Sequence, residues 1–309
     1  MASSDTPPRI VTELPRLPAR KPEMHKGQVG RVAIVAGSRG MSGAACLSAI
    51  GALRSGAGLV RVYSPECVQP IVAASEPCLM TVALEDDTRG LIAAVPALDR
   101  LRADLEWPNV LAIGPGLGQD GALAPLVTGV LEMFADPMVI DADGLNNLTL
   151  TESGTPWWQA RSGRATVITP HPGEMLRLCR HAGLQVTLES NDQSRLNVAH
   201  EYAQLTGLTV VLKGHRTVVC TPDRAYFNTT GNPGMATGGM GDVLTGLIAS
   251  LLGQGLPAFE AACLGVHMHG LAADRLARQI GPVGYLAREV ADLLPAAMAQ
   301  VSRAPMGFK

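Results

Sequence analysis

The sequence predicts an α/β protein in which a mainly parallel central sheet is covered by helices on both faces and carries antiparallel edge strands near the C-terminal part. Short uninterrupted apolar runs alternate with segments of helical periodicity, a pattern typical of strands buried on both faces. Two later strand-like runs are separated by only a few turn residues, which predicts a hairpin. With 309 residues and 47% hydrophobic content, the chain is large enough to bury such a sheet.

Each element has its own local signal. A glycine turn and a helical stretch from about Gly43 to Arg54 follow the first apolar run, and longer helical patterns separate most of the later runs. No internal repeat or change in composition marks a second domain, so residues 25–309 are expected to form one domain. The expected strands are 32–36, 59–63, 110–113, 137–140, 165–168 and 209–212, followed by the hairpin strands 216–220 and 224–227.

The first 24 residues differ from the rest of the chain. They are rich in proline and contain no hydrophobic core segment, so we expect an extended or disordered arm and not a signal peptide. No apolar run anywhere approaches the ~18 residues that a membrane span requires. The sequence therefore predicts no membrane association.

Composition excludes several classes of function. The net charge is −2 and only 4% of residues are aromatic, so neither a basic surface for nucleic acid nor a stacking platform for bases is expected. The six cysteines lack the short spacings of zinc sites or redox dithiols. Reduced thiols in a cytoplasmic protein are the expectation that follows.

The most informative segment is the glycine-rich stretch 228–246, which leads into an apolar run of helical spacing. Backbone N–H groups at such a helix N-terminus bind anions, above all phosphates. Asp242 is the carboxylate at this junction, and two interpretations are open for it. It is either a helix cap or a general base that faces a phosphate held by the N–H groups of Gly239, Met240 and Gly241.

Other polar and glycine-rich motifs follow the predicted strands, where open α/β sheets bind their ligands. The turn 37–45 follows the first strand and is equally compatible with a structural role. The turn Gly114-Pro-Gly-Leu-Gly118 is more specific, because it leaves an open backbone surface. Asp141 and Asp143, with Asn146, follow the next strand and are suited either to a water-mediated Mg²⁺ site or to a helix cap in a solvated turn.

Two further segments carry candidate residues. In Thr169-Pro-His-Pro-Gly-Glu174, two prolines restrain the backbone around His171, and Glu174 falls at a helix start, which favours a functional role. The segment 213–217 joins two strands and could offer side chains and N–H groups to a nucleotide, although a simple turn is the alternative. His267 and His269 stand two residues apart in a helical pattern, so their rings point to different faces, and both are interpreted as structural.

Seven motifs, taken in order, resemble the ADP/ATP-dependent NAD(P)H-hydrate dehydratases of the ribokinase-like superfamily. The resemblance runs from about His25 to the last helix and implies nucleotide-dependent dehydration of NADH hydrate or NADPH hydrate to the reduced cofactor. The motifs are Lys26-Gly-Gln-Val-Gly-Arg31, Gly56-Ala-Gly-Leu-Val60, Gly114-Pro-Gly-Leu-Gly118, Asp141-Ala-Asp-Gly-Leu-Asn146, Thr169-Pro-His-Pro-Gly-Glu174, Val211-Leu-Lys-Gly214 and Gly238-Gly-Met-Gly-Asp-Val-Leu-Thr-Gly246.

The resemblance also implies roles for individual residues. Asp242 would be the base, and ADP, or alternatively ATP, would be the co-substrate with Mg²⁺. Glu174 falls where related kinases carry the Glu of an Asn-x-x-Glu motif that positions Mg²⁺, but His171 replaces the Asn, which leaves the metal arrangement open. The nucleotide side would comprise Lys213, Gly214, His215, Arg216, Thr217 and Gly241, and the hydrate side Ala44, Gly116, Gly118, His171 and Asp242.

Two alternatives accompany this interpretation. A vitamin-precursor kinase of the same superfamily would share the fold and the anion-binding loop but would release its phosphorylated product. A nucleotide sensor without turnover is the non-enzymatic alternative.

Related dehydratases often carry a fused epimerase domain, and we expect that activity to reside in a separate protein here. A homo-oligomer is also expected.

Overall fold

The computed structural model describes residues 6–17, 19–151 and 154–301. Within them, ten strands form one sheet and ten α-helices surround it. The strands are β1 Arg9–Ile10, β2 Arg31–Val35, β3 Leu59–Pro65, β4 Met80–Leu84, β5 Val110–Ile113, β6 Met138–Ile140, β7 Thr166–Ile168, β8 Thr209–Leu212, β9 Val218–Cys220 and β10 Arg224–Phe227. The helices are α1 Ser42–Arg54, α2 Gln69–Ser75, α3 Ala94–Asp104, α4 Ala124–Met133, α5 Asp143–Leu148, α6 Pro172–His181, α7 Asp192–Thr206, α8 Met240–Gly253, α9 Ala258–Ile280 and α10 Ala287–Val301.

The sheet order is β1-β10-β9-β8-β7-β6-β5-β2-β3-β4. All pairs from β8 to β4 are parallel, whereas β9 runs antiparallel to both β8 and β10. The predicted fold class is therefore confirmed, including the antiparallel strands at one edge. The chain runs outward from β2 to β4 and then returns to place β5 on the other side of β2. This reversal creates the crevice in which sheets of this kind bind ligands.

Two strands escaped the sequence analysis. β4 lies at one edge of the sheet and is only partly buried, and it was missed although its sequence, Met80-Thr-Val-Ala-Leu84, is mainly apolar. β1 lies within the predicted N-terminal arm and pairs in parallel with β10, with Arg9 opposite Arg224. The described part of the arm is therefore attached to the sheet, while residues 1–5 and 18 lie outside the described residues.

Two hydrophobic cores lie on opposite faces of the sheet. Helices α1, α2, α8, α9 and α10 cover one face, and α3, α4, α5, α6 and α7 cover the other. Helix α8 is buried along almost its whole length, because it packs on β2, β5 and β6 between α1 and α9. An all-round apolar sequence suits this position.

The N-terminus of α8 is fixed by a close crossing with α1. A Cβ atom added at Gly246 would lie 1.8 Å from the backbone oxygen of Ser48, and one added at Gly51 would lie 2.5 Å from that of Val243. Only glycine allows the two backbones to approach this closely. The crossing holds the glycine-rich turn at the carboxyl ends of the central strands.

No helix in the described ranges combines the length and the apolar composition needed to cross a membrane. All six cysteines are free thiols.

Candidate active site

The loops that follow β2 and β5 meet at the reversal of strand order. The Gly37 N–H donates to the Pro115 carbonyl at 2.9 Å, and the Ser38 hydroxyl donates to the Gly116 carbonyl at 2.8 Å. Gly116 has φ +62°, and a Cβ there would come within 2.8 Å of the Ala44 Cβ. Ala44 and Gly116, which the resemblance assigned to the hydrate side, are therefore direct neighbours.

The two aspartates after β6 diverge because Ala142 between them has φ +48°, which is uncommon for a residue other than glycine. Asp143 turns toward the loop after β5 and accepts hydrogen bonds from the Gly118 N–H at 2.9 Å and the Gln119 side chain at 3.0 Å. Asp141 turns the other way. The strained residue thus gives the two carboxylates separate surroundings.

Asp141 is buried and is paired with Lys213 at the end of β8. The Lys213 Nζ lies 2.7 Å from Asp141 Oδ1, and the Thr245 hydroxyl of α8 donates to Oδ2 at 2.7 Å. Burial alone would lower the pKa of the Lys213 ammonium. The nearby carboxylates of Asp141, Glu174 and Asp242 outweigh burial and raise that pKa above its ordinary value. Lys213 therefore carries a fixed positive charge among several carboxylates.

Asp242 lies in the first turn of α8, and the helix is capped by Gly239 with φ +89°. The carboxylate of Asp242 accepts no hydrogen bond from any residue within the described ranges. Burial, followed by the charge of Asp141, raises the pKa of Asp242 to about 7, although Lys213 acts in the opposite direction. A carboxyl group with this pKa exchanges protons readily near neutral pH, as a general base must.

Lys213 and Asp141 lie against the glycine turn. A Cβ added at Gly241 would stand 3.3 Å from Lys213 Nζ and 3.7 Å from Asp141 Oδ2. The ammonium group and the N-terminus of α8 therefore present positive charge to one point in space. This arrangement fits a bound phosphate.

His171 caps helix α6 at the end of β7. Its Nδ1 accepts hydrogen bonds from the Gly173 N–H at 3.0 Å and the Glu174 N–H at 3.3 Å, and the His171 N–H donates to Glu174 Oε2 at 2.8 Å. Burial, Lys213 and Arg177 lower the pKa of the imidazole. Because Nδ1 is an acceptor, the ring proton resides on Nε2, 3.3 Å from Glu174 Oε1. The cap fixes the orientation of an imidazole whose side chain is still 51% exposed.

The turn between β8 and β9 borders a cavity of about 600 Å³. The cavity wall includes all six residues assigned to the nucleotide, together with Met240 and the segment 228–233. A volume of this size is typical of small-molecule sites. The cavity thus adjoins the Lys213 ammonium and the start of α8. Ala44, in the first turn of α1, and Gly116 and Gly118, in the loop after β5, lie at the reversal of strand order and do not line this cavity.

The carboxylates near the N-terminus of α8 suit a magnesium ion that is also bound by phosphate. No group of three or more acidic, histidine or cysteine side chains in the described ranges forms a complete set of metal ligands. Mg²⁺ commonly keeps several waters and binds through one or two carboxylates and substrate phosphates. Asp242 has free carboxylate oxygens beside the predicted phosphate position. Both oxygens of Glu174 face His171, so Glu174 would act on the ion through water.

Several contacts of the site could not be found in the sequence. Neither Thr245 as the partner of Asp141 nor Asp143 as the anchor of Gly118 has a local signal. The same holds for Asp274 of α9, which accepts from the Gly231 N–H and from the Asn232 amide, both at 2.9 Å. These contacts join residues far apart in the chain, and of the three residues only Asp143 stands just after a strand, whereas Thr245 and Asp274 lie within helices.

Known proteins share both the sequence and the fold of this chain. A family model described as NAD(P)H-hydrate dehydratase matches residues 32–296. The chain belongs to this family. The recognition based on seven motifs is therefore confirmed.

Among curated members of the NAD(P)H-hydrate dehydratase family, the ADP-dependent (S)-NAD(P)H-hydrate dehydratase of Neisseria meningitidis is 40% identical over 277 residues, which cover 88% of this chain and 86% of that protein. The bifunctional NAD(P)H-hydrate repair enzyme of Moorella thermoacetica is 44% identical over 91% of this chain. The chain spans about half the length of that bifunctional relative, 51%.

Solved structures extend the similarity of this family member to the whole fold. The ADP/ATP-dependent NAD(P)H-hydrate dehydratase of Bacillus subtilis, crystallised with ATP and Mg²⁺, matches with a TM-score of 0.76 and 31% identity, covering 93% of this chain and 95% of that one. A ribokinase-like superfamily protein of Enterococcus faecalis matches with a TM-score of 0.76 and 27% identity, covering 95% and 96% of the two chains. The ribokinase-like fold is thereby confirmed.

Proposed function

We propose that this protein is a carbon–oxygen lyase that repairs damaged nicotinamide cofactors. Its substrates are the S-epimers of NADH hydrate and NADPH hydrate, and its co-substrate is ADP, with ATP as the alternative. The observation that carries the proposal is the carboxylate of Asp242. It has a pKa of about 7, lacks a hydrogen-bond partner in the described ranges, and lies at an anion-binding helix terminus beside a cavity large enough for a nucleotide.

The chemistry explains why a nucleotide is needed. Hydroxide is a poor leaving group, so the ring hydroxyl is first phosphorylated. Asp242 takes the hydroxyl proton while the oxygen attacks the terminal phosphoryl group of ADP, and AMP leaves. The ring-nitrogen lone pair then expels inorganic phosphate as the carbon–oxygen bond breaks. Loss of a proton from the neighbouring ring carbon restores the reduced nicotinamide.

Charge on the transferred phosphoryl group requires fixed donors. We assign this role to the N–H groups of Gly239, Met240 and Gly241, assisted by the Lys213 ammonium, since the two features face the same point. When bound, Mg²⁺ would neutralise phosphate charge beside Asp242 and, through water, beside Glu174.

The two substrates are assigned to different parts of the site. Lys213, Gly214, His215, Arg216, Thr217 and Gly241 would hold the nucleotide, which is supported by their position around the 600 Å³ cavity. The loops at the reversal of strand order would hold the hydrate. The residues on that side are Ala44, Gly116, Gly118, His171 and Asp242.

One experiment separates a dehydratase from the kinase alternative. The protein is incubated with NADH hydrate, Mg²⁺ and either ADP or ATP, and three products are quantified: reduced nicotinamide by absorbance, inorganic phosphate, and any phosphorylated small molecule by mass spectrometry. We expect one reduced cofactor and one phosphate for each nucleotide consumed. A persistent phosphorylated product without recovery of reduced cofactor would assign the protein to the kinases.

The proposal also includes an upstream enzyme activity, a cellular compartment and an oligomeric state. An epimerase activity would supply the S-epimer, in keeping with the bifunctional character of related repair enzymes. Six free thiols support a cytoplasmic site of action. A homo-oligomer is supported by the exposed apolar side chains of Ile280, Val283 and Leu286, and light scattering coupled to size-exclusion chromatography would measure its subunit number.

A further inference from the structure

His269 of α9 is a buried residue whose Nε2 lacks a hydrogen-bond partner among the described residues. The residue is 5% exposed, and its Nε2 makes no hydrogen bond in the described part of the protein. Burial, and in addition the positive charge of Lys213, lower the pKa of His269 to about 4, so the ring is neutral at physiological pH. An unsatisfied buried nitrogen typically costs about 1–3 kcal/mol. Folded proteins rarely retain such groups without a use for them.

His269 is one of the residues that line the 600 Å³ cavity. Val266, one helical turn earlier, and Leu244 of α8 line the same cavity, so this side of it is apolar. Met235 and Met240 also contribute, and methionine side chains adapt readily to an incoming ring. An apolar wall with one neutral ring nitrogen suits a flat heteroaromatic group. Phosphates would instead bind near Lys213 and the N-terminus of α8.

We propose that His269 is a specificity-determining residue whose Nε2 hydrogen-bonds the base of the bound nucleotide. This inference rests on the proposed function, because it assumes that the cavity receives ADP or ATP. Adenine presents both donors and acceptors along its edge, so either neutral tautomer of the imidazole finds a complementary atom. The nucleotide thereby supplies the partner that the protein itself does not provide.

His267 offers a matched control within the same helix. Its Nδ1 lies 3.3 Å from the Tyr226 hydroxyl, and its side chain borders a different cavity, together with Leu14 and Leu271. The two histidines therefore have separate environments only two residues apart. A substitution at His267 tests the general effect of losing an imidazole from α9 without touching the 600 Å³ cavity.

The test compares His269→Leu, His269→Gln and His267→Gln with the wild type. Dissociation constants for ADP, adenosine and pyrophosphate are measured by competition with a fluorescent ADP analogue. We expect His269→Leu to weaken ADP and adenosine by the same factor, roughly 5–20-fold for one hydrogen bond in a buried site. Pyrophosphate affinity should stay within twofold. His269→Gln keeps a nitrogen close to the Nε2 position and should retain most of the affinity, and His267→Gln should have no effect.

Thermal unfolding without nucleotide adds a second measurement. Because His269→Leu removes an unsatisfied polar atom, its melting temperature should equal or exceed that of the wild type. If His269→Leu does not fold, His269→Asn, whose amide is too short to reach the Nε2 position, replaces it and should lose affinity where His269→Gln does not. Unchanged ADP affinity, or equal losses for ADP and pyrophosphate, would overturn the inference. Failure of the wild type to bind either ADP or ATP would instead refute the proposed function.

Discussion

Asp242 is a half-buried carboxylate that lacks a hydrogen-bond partner among the described residues. Its neighbours explain how this is maintained. Asp141 repels a second negative charge and raises the pKa, while Lys213 limits the rise. The result is a group that is poised between its two protonation states near neutral pH, at a point where an anion can bind.

Replacing this carboxylate tests its role as the base. Asp242→Asn should lower turnover by about 10²–10⁴-fold, which is the usual contribution of a general base, and leave ADP affinity almost unchanged. In the wild type, turnover should rise with pH and level off above about 7, because only the ionised carboxylate accepts the proton. Stopped-time assays of NADH recovery across pH 5–9 would measure both effects. Turnover within threefold of the wild type would exclude Asp242 as the base.

The same substitution should increase stability. The pKa of Asp242 in the folded protein, about 7, exceeds the value near 4 of an unfolded chain. Between these values the folded state holds a proton that the unfolded state has released, so the free energy of unfolding falls as pH rises. Above pH 7 the ionised carboxylate therefore destabilises the fold, and Asp242→Asn should stabilise it by roughly 1–3 kcal/mol. Urea unfolding at pH 5 and pH 8 would show whether the gain is larger at the higher pH.

Lys213 has a structural partner as well as an expected ligand. Lys213→Met should weaken ADP binding and also lower the free energy of unfolding by about 3–5 kcal/mol, because Asp141 would be left as an unpaired buried charge. Adding Asp141→Asn should recover most of the stability without recovering ADP affinity. Calorimetric titration with ADP and urea unfolding of the single and double variants would separate the two roles. Normal ADP affinity in the double variant would remove Lys213 from the nucleotide site.

At the scale of secondary-structure elements, helix termini hold the reactive groups in place. His171 is both the cap of α6 and a proposed contact of the hydrate, and these roles can be separated. His171→Ala should lower stability by about 1 kcal/mol and raise the KM for the hydrate more than that for ADP. His171→Ser, which restores a capping oxygen, should recover the stability but not the KM. If serine also restored the KM, the imidazole would serve only as a cap.

The crossing of α1 and α8 controls where the anion-binding turn lies. Gly246→Ala places a Cβ 1.8 Å from the Ser48 carbonyl oxygen, so the helices must separate, at a cost of about 1–3 kcal/mol or more. We expect a lower melting temperature and reduced turnover, because the displaced α8 carries Asp242. Gly43→Ala in α1 is the control, since nothing lies within 4 Å of its added Cβ and helix propensity alone should stabilise it. Equal melting temperatures for the two variants would contradict this account of the crossing.

At the scale of the whole molecule, the N-terminal arm closes one edge of the sheet. β1 pairs with β10, and Val11, Leu14 and Leu17 pack against the core on the α8 face. A chain that begins at Met24 should lose about 2–4 kcal/mol of unfolding free energy and expose the edge of β10 to association. Its KM for ADP should stay within twofold, because no described arm residue lines the 600 Å³ cavity. An unchanged urea midpoint would show that the arm contributes nothing to stability.

The sequence by itself determined the features that depend on local patterns. Apolar runs predicted the strands of the parallel sheet except β4, helical spacing after Gly241 predicted α8, and Glu174 was expected at a helix start, which is that of α6. Collinear motifs were enough to recognise the family. The candidate residues could be named in advance because carboxyl ends of parallel strands meet at one edge of the sheet. The edge strand β4 was missed although its sequence is mainly apolar.

Only the tertiary structure decided how these residues act on one another. The Asp141–Lys213 pair joins positions 72 residues apart, and the Ala142 backbone sends Asp143 to a different partner, neither of which has a periodicity to detect. Burial at the end of α8, together with the Asp141 charge, raises the pKa of Asp242. The unpartnered nitrogen of His269 likewise emerges only when α9 is packed against the cavity. Electrostatic interactions and burial depend on distances in space, whereas the sequence specifies only the order of residues along the chain.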